Sequence, residues 1–188
     1  MAATGGTGGT GGTSSSGGGT SSAGGGAGGA AGSLYDRLGK AAGIDAAIKQ
    51  IVTAEVGDTA IGSYFAPNLS PSHQPQPADI IECLDALLGA KAGGPEVYPT
   101  KTSSGFQCRN MVEAHATLGI NSGTFDKFVM IAGGVLKGAI SDDDLATVAS
   151  VLVGTKGQIV TDKLSTAARP CQAPASCAEA AAGAGGAG

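Results

Sequence analysis

The chain has 188 residues, of which 34 are glycine, and a formal net charge of −4 at pH 7. Its 11 lysine and arginine residues form no cluster, which argues against the basic surface that binding to a nucleic acid backbone requires. No apolar run approaches the roughly 18 residues that a membrane-spanning helix needs, so the sequence predicts no transmembrane segment.

The two ends of the chain differ in composition from its middle. Residues 1–32 contain 15 glycines among Thr, Ser and Ala, and no apolar side chain larger than alanine follows Met1. Such a segment cannot offset the entropy that an ordered backbone loses. The end of the chain, from about Ala167, is rich in Ala, Gly and Pro. We therefore predict a disordered tether over 1–32, one domain over 33–165 and a flexible tail over 166–188.

The glycine-rich tether bears on the location of the protein. It resembles the segment that follows the lipid-modified cysteine of bacterial surface lipoproteins, which implies a lipid anchor upstream of the tether. The residues after Met1 have neither the charged start nor the apolar stretch of a signal peptide. A flexible cytosolic tail is the alternative. We expect an extracytoplasmic or surface-tethered protein in preference to a cytoplasmic one.

Four cysteines are present, and an even number weakly favours an oxidising compartment. Spacing alone does not choose among their three pairings. No CxxC motif occurs, which argues against a structural zinc site, a thioredoxin-type motif and covalent haem attachment through CxxCH. The four are Cys83, Cys108, Cys171 and Cys177.

Apolar residues in the middle of the chain repeat at helical spacing, and strand signals are scarce. Ile44, Ile48, Ile51 and Val52 show the i, i+3, i+4 pattern of a buried helical face. The sequence predicts an all-α domain. Its helices in chain order are a short one capped by Ser33, a run that follows Gly43, a turn over 58–65, a helix over Ala78–Leu88, a short helix carrying Met111, His115 and Leu118, a helix opened by Thr124, and a last helix capped by Ser141 that continues to Ile159.

Two other patterns have structural explanations. The GGTGGTGG tract at 5–12 lacks the Lys-Ser/Thr, the preceding strand and the following helix of a phosphate-binding loop. The three aspartates at 142–144 suit the first turn of a helix, where negative charge is stabilised, without a bound cation. No GxSxG motif indicates an acyl-transfer nucleophile.

Only two histidines can supply an imidazole. His73 lies in a proline-rich loop, where an exposed histidine without a function is the expected state. His115 has Met111, Leu118 and Ile120 near it on an apolar face. Taken alone, this pattern fits a half-buried core histidine, but an inward histidine in an all-α domain also suits an axial ligand to haem iron.

Several short motifs occur in an order and at spacings that together identify a resemblance. Each motif is weak by itself, but the set covers about 130 residues and resembles the truncated haemoglobins, group I in particular. The motifs are SLYDRLG at 33–39, GIDAAI at 43–48, YF at 64–65, GGPEVY at 93–98, MVEAH at 111–115, LGI at 118–120 and FD at 125–126.

The resemblance implies a two-over-two helical sandwich, with helices B and E against G and H, around non-covalent haem b. His115 matches the proximal iron ligand of that family. Tyr98 and Arg109 stand where a hydroxyl or a cation could meet the haem propionates. The haem-contacting positions that the resemblance implies are Phe65, Leu84, Tyr98, Met111, Leu118, Ile120, Phe125 and Val129.

The chain departs from the family on the ligand side of the haem. Val52 aligns with the distal tyrosine of many relatives, Ile51 with its aromatic neighbour, and Leu84 falls near a position often held by glutamine. A pocket without a donor leaves the charge of bound oxygen unstabilised, so we expect fast oxygen loss and weak discrimination against carbon monoxide. A donor from the atypical loop, His73 or Gln74, is the competing possibility.

The first functional hypothesis is therefore a haem b-binding truncated globin that reversibly binds a diatomic gas, namely oxygen, carbon monoxide or nitric oxide, opposite His115. An enzymatic activity is not indicated, and a reductase is an expected partner that no motif identifies. The second hypothesis is a redox or peroxidase-like haem protein with His73 as sixth ligand. The third is a globin-fold interaction domain without haem, which the inward His115 opposes because an unpaired buried imidazole costs stability.

Overall fold

The computed structural model describes residues 32–163 and 167–169, and its regular structure is helical. Within these residues the only β-type pairings are isolated bridges, such as Lys101 with Gln107. The helices are α1 (Leu34–Arg37), α2 (Lys40–Gly57), α3 (Gly62–Phe65), a 3₁₀ helix (Ala66–Leu69), α4 (Pro77–Lys91), α5 (Met111–His115), α6 (Ser122–Leu136), α7 (Asp142–Val153) and α8 (Lys156–Ile159).

The start of the domain is fixed by a capping box. The Ser33 hydroxyl accepts a hydrogen bond from the Asp36 backbone N–H, and the Asp36 carboxylate accepts one from the Ser33 N–H, both at 3.1 Å. This confirms the cap predicted at Ser33. The chain then turns at Gly39, where φ is +83°, and α2 begins.

Helix α2 is the centre of the fold. It packs against α4 on one side and α6 on the other, while α6 also packs on α7 and α5 packs on α8. The pairs α2–α4 and α6–α7 form the two layers, so the predicted all-α two-over-two architecture is confirmed. Among the described residues, no helix is long and apolar enough to cross a membrane.

Several helix boundaries differ from those predicted: α4 runs Pro77–Lys91 instead of Ala78–Leu88, and α5 ends at His115, before Leu118. Helix α2 begins at Lys40, one turn earlier than the run expected after Gly43. Helix α6 begins at Ser122, because the Asn121 side chain accepts a hydrogen bond from the Thr124 N–H at 2.8 Å and so caps the helix. The last predicted helix is divided at Gly154 into α7 and α8.

The buried hydrophobic residues form two clusters instead of one continuous core. A single domain usually has one main core with smaller satellite clusters, and the second cluster here is of that smaller kind. The large cluster lies around α2, α4, α6 and α7 and consists of Leu34, Ile44, Ile48, Ile51, Val52, Leu88, Ala92, Ala132, Leu136 and Val148. The small cluster lies around α3, α6 and α8 and consists of Tyr64, Ile120, Phe125 and Ile159.

The irregular segment between α4 and α5 is fastened to α4. Cys83 on α4 forms a disulfide with Cys108, with 5.6 Å between their Cα atoms. One turn earlier, the buried Asp79 carboxylate accepts hydrogen bonds from the hydroxyls of Thr102 at 2.7 Å and Ser104 at 2.6 Å. The disulfide therefore selects one of the pairings that the sequence left open, and it holds the chain shortly before α5.

The described end of the chain returns to the start of α6. The Asn121 side chain donates a hydrogen bond to the Ala167 carbonyl at 2.9 Å, and the hydroxyl of Thr124 lies 3.4 Å from backbone atoms of Arg169. These residues belong to the segment that the sequence assigned to the tail. Cys171, Cys177 and residues 1–31 of the tether predicted over 1–32 lie outside the described residues.

Candidate functional site

The short helix α5 presents His115, the residue that the sequence singles out as an iron ligand. Asn110 caps α5 by accepting a hydrogen bond from the Glu113 N–H at 2.9 Å. The imidazole Nδ1 lies 2.7 Å from the Met111 carbonyl oxygen, one turn back on the same helix. The ring is half-buried.

The hydrogen bond sets the tautomer of His115. A carbonyl oxygen only accepts, so Nδ1 carries the proton and donates it, which leaves the lone pair on Nε2. Burial lowers the pKa of His115, although the bond to the Met111 carbonyl acts in the opposite direction. A neutral imidazole with a free Nε2 is the form that binds a metal ion. With the described residues, Nε2 forms no hydrogen bond.

The residues implied as walls on the His115 side lie together. Ile120 and Phe125 are buried members of the small cluster, and partly buried side chains pack on it. The partly buried group includes three further predicted positions, Met111, Leu118 and Val129. The sequence did not predict three other members of the same wall, Tyr64, Ile159 and Val160. Tyr64 lies in a short turn, and Ile159 and Val160 follow the break in the last helix at Gly154.

The residues implied for the ligand side belong to the large cluster. Ile51 and Val52 are buried on α2, and Leu84 of α4 is partly buried against the same cluster. The predicted wall positions are thus divided between the two clusters. Leu84 packs against the large cluster, whereas the predicted residues of the small cluster lie on or beside α5 and α6.

Other residues implied by the resemblance are placed differently. Phe65 is half-buried and belongs to neither cluster, whereas its neighbour Tyr64 is buried in the small cluster. The Tyr98 hydroxyl donates a hydrogen bond to the Arg109 carbonyl at 2.6 Å, so it fastens the segment before α5. Arg109 is exposed.

His73, the alternative ligand or donor, lies in the loop between the 3₁₀ helix and α4. Its backbone carbonyl accepts a hydrogen bond from the Gln76 side chain, which is the residue before α4. The adjacent Gln74 is exposed. These contacts fasten the loop to the start of α4, and none of them joins His73 to His115 or to either cluster.

Sequence reasoning also missed a buried carboxyl of the interior, Glu55. It is 0% exposed on α2, and neither carboxylate oxygen has a hydrogen-bond partner among the described residues. Burial is the main reason that its pKa is raised to about 8; the nearby Asp58 contributes in the same direction, and Lys127 opposes the change. A signal was present, because Glu55 follows Ile51 by four residues and Val52 by three and so continues the buried face. The buried face of this helix was predicted from apolar residues alone.

These features fit a haem. Within residues 32–163 and 167–169, no three His, Cys, Asp or Glu side chains come together to hold a metal ion. A single histidine therefore needs further ligands from another group, and a porphyrin supplies them. Met111 and Leu118, which precede and follow His115 in the chain, pack on the small apolar cluster, so the surroundings of His115 suit an apolar group.

Comparison with known proteins supports the fold. No protein-family model matches the chain, and no curated protein matches it either. Among solved structures, the Fe(III) form of truncated hemoglobin from Tetrahymena pyriformis is 19% identical with a TM-score of 0.56, over 68% of this chain and 97% of that one. The 2/2 hemoglobin from Synechococcus sp. PCC 7002, in the cyanomet state with covalently attached heme, is 21% identical with a TM-score of 0.56, over 70% of this chain and all of that one.

The described domain therefore has the truncated haemoglobin fold. Helices α2 and α4 correspond in chain order to helices B and E of that fold, and α6 and α7 correspond to G and H.

Proposed function

We propose that this chain is a haem-binding truncated globin that reversibly binds a diatomic gas opposite His115. The observation that carries the proposal is the state of His115, a neutral imidazole whose Nδ1 is fixed by the Met111 carbonyl and whose Nε2 has no hydrogen-bond partner among the described residues. The fold and the apolar side chains that pack around α5 support it.

The chain supplies the groups that would hold the haem. His115 would ligate the iron, while Phe125, Ile120 and Met111 would contact the ring on that side and Val52 and Leu84 on the other. When bound, the haem provides an iron at which a diatomic gas binds reversibly. Non-covalent haem b is proposed because the described cysteines, Cys83 and Cys108, are joined to each other and offer no thiol.

Replacement of His115 tests the proposal. His115→Ala removes the protein ligand, and a ring held only by apolar contacts binds more weakly. We expect haem titration of the purified variant to give a reduced affinity and a displaced Soret band compared with the wild type. His73→Ala is the matched control, because it removes the other histidine of the chain, and we expect its spectrum to be unchanged.

Two results would contradict the assignment. An unchanged Soret band and affinity in His115→Ala would show that another residue holds the iron. A spectral change from six to five ligands in His73→Ala would instead support the redox or peroxidase-like alternative, in which His73 is the sixth ligand.

A further inference from the structure

Part of the segment between α4 and α5 folds back on itself as a hairpin, which we call the strap, residues 100–108. The Cys108 N–H donates a hydrogen bond to the Thr100 carbonyl at 2.8 Å, and the Thr102 N–H donates one to the Phe106 carbonyl at 2.9 Å. These bonds hold the two ends of the strap side by side, so that it is a defined element of the fold.

Side chains of α4 hold the tip of the strap. The buried Asp79 carboxylate accepts hydrogen bonds from the hydroxyls of Thr102 and Ser104. The Glu82 carboxylate accepts hydrogen bonds from the N–H and the hydroxyl of Ser103, the first at 2.6 Å. Asp79 and Glu82 stand at i and i+3 of α4 and so share one face of this helix. The strap therefore lies along that face.

The disulfide holds the other end of the strap, which leads into α5. Cys83 follows Glu82 on α4 and is bonded to Cys108, the last residue of the strap. Shortly after Cys108, Asn110 caps α5. The next residue of α4 after Cys83 is Leu84, which is a ligand-side position of the proposed pocket. One covalent bond therefore joins the helix that carries Leu84 to the segment that enters the helix of His115.

Helices α4 and α5 have different main packing partners. Helix α4 packs chiefly on α2, whereas α5 packs on α8. Helix α5 is also short, and a short helix depends on tertiary contacts for its stability. If the disulfide opens, the tip of the strap stays bound to Asp79 and Glu82, but the end that enters α5 is released from α4. The bond therefore bears on the position of His115.

We propose that the Cys83–Cys108 disulfide positions His115 and makes retention of the haem depend on the redox state of the protein. The haem is held firmly while the bond is intact and is released faster after the bond is reduced. This inference rests on the proposed function, and it adds a dithiol reductant as a partner of the chain.

The reaction is thiol–disulfide exchange. Cys108 is 2% exposed and Cys83 is half-buried, so a thiolate of the dithiol attacks the sulfur of Cys83. The bond between the two protein sulfurs breaks, and Cys108 leaves as a thiolate that takes up a proton. The second thiol of the reductant then forms the reductant's own disulfide and releases Cys83, which is protonated in turn. Two electrons and two protons pass from the dithiol to the protein.

Haem release from the ferric, haem-loaded protein tests the proposal. The wild type is compared in its oxidised form and after treatment with dithiothreitol, which is removed under argon before haem is added. An excess of haem-free myoglobin collects the released haem. We expect release to be between about tenfold and a hundredfold faster after reduction, the range over which loss of a group that orients a metal ligand weakens metal binding. Cys83→Ala/Cys108→Ala should release haem at the fast rate with or without the treatment.

Leu34→Ala is the matched control for lost stability. Leu34 is a buried core residue of α1, and α1 contributes none of the proposed haem contacts, so this variant is destabilised without a change in the strap. Its haem release should equal that of the wild type in each redox state. In resonance Raman spectra of the ferrous protein, the iron–histidine stretching band should shift in the double cysteine variant and stay in place in Leu34→Ala.

A further measurement does not need the haem. In the haem-free protein, the backbone amides of α5 should exchange with deuterium faster after reduction, because α5 has lost its covalent link to α4. The Ser103 amide at the tip of the strap should exchange at an unchanged rate, since its N–H remains bonded to Glu82.

The outcomes separate this inference from the function on which it rests. A protein that binds no haem overturns both. A protein that binds haem but releases it at the same rate oxidised and reduced overturns the redox control alone. Equal acceleration in Leu34→Ala and in the double cysteine variant also overturns it, because the effect would then follow from lost stability. Exchange of the α5 amides that reduction leaves unchanged overturns the positioning of His115 by the disulfide.

Discussion

The buried carboxyl of Glu55 makes the stability of the fold depend on pH. The unfolded chain releases this proton near pH 4.5, whereas the folded protein retains it to about pH 8. The native state therefore binds more protons between these values, and this group lowers the free energy of unfolding as pH rises through that interval. Below pH 4.5 the carboxyl is protonated in both states, so it makes no pH-dependent contribution to the free energy of unfolding.

Glu55→Gln isolates this effect. Each unit of difference between the two pKa values corresponds to about 1.36 kcal/mol. The free energy of unfolding of the variant should therefore exceed that of the wild type by up to about 5 kcal/mol near pH 9 and by little at pH 4. Urea unfolding of both proteins from pH 4 to 9 measures the difference. Glu113→Gln, the same change at an exposed position on α5, should follow the wild type throughout. A constant difference between Glu55→Gln and the wild type at every pH would show that the carboxyl does not titrate in this interval.

At the residue scale, the sequence predicts apolar positions better than polar ones. Ile51 and Val52 follow from helical spacing, because burial of apolar area drives that pattern. Glu55 occupies the next position of the same face, but a carboxylate is expected at the surface unless it is paired. Its burial depends on neighbours from α3 and α6 that the local sequence does not reveal. His115 was predicted from the resemblance, and the Met111 contact that orients it required the structure.

At the scale of elements, the disulfide between Cys83 and Cys108 joins α4 to the segment before α5. The sulfur atoms close a loop of 25 residues, and Cys108 is only 2% exposed. A loop of this size is stabilised by about 3 kcal/mol, mainly because the bridge restricts the unfolded chain. The double variant Cys83→Ala/Cys108→Ala should lose about this amount in urea unfolding.

Reductant provides the control for that prediction. Dithiothreitol should lower the urea-unfolding midpoint of the wild type towards that of the double variant and leave the midpoint of the double variant unchanged. Equal midpoints for the oxidised wild type and the double variant would contradict a stabilising bridge between these two cysteines.

Helix types were easier to predict from the sequence than their ends. The caps at Ser33 and Ser141 were predicted because a side-chain oxygen followed by an acid three residues later satisfies the first free N–H groups. The break at Gly154 was not predicted, because an isolated glycine only weakens a helix and packing decides whether the helix ends there. The cysteine pairing also needed the fold, because spacing leaves three possibilities.

At the scale of the whole molecule, the described part of the domain begins at Gly32, whose carbonyl accepts a hydrogen bond from the Arg37 guanidinium at 2.6 Å. The residues before it contain no large apolar side chain after Met1. Removal of residues 1–31 should therefore leave the melting temperature and the haem spectrum unchanged. A clear drop in melting temperature, measured by circular dichroism, would show that the glycine-rich segment packs on the domain.

The central claim is that this domain binds haem through His115 and a gas at the opposite face of the iron. The most direct measurement is the ultraviolet–visible spectrum of the haem-reconstituted protein, recorded ferric, then ferrous, then ferrous with carbon monoxide. We expect a saturable one-to-one haem titration, a Soret band typical of histidine-ligated haem, and a sharp reversible shift on addition of carbon monoxide. Haem that does not saturate at one per chain, or a ferrous spectrum that carbon monoxide leaves unchanged, would contradict it.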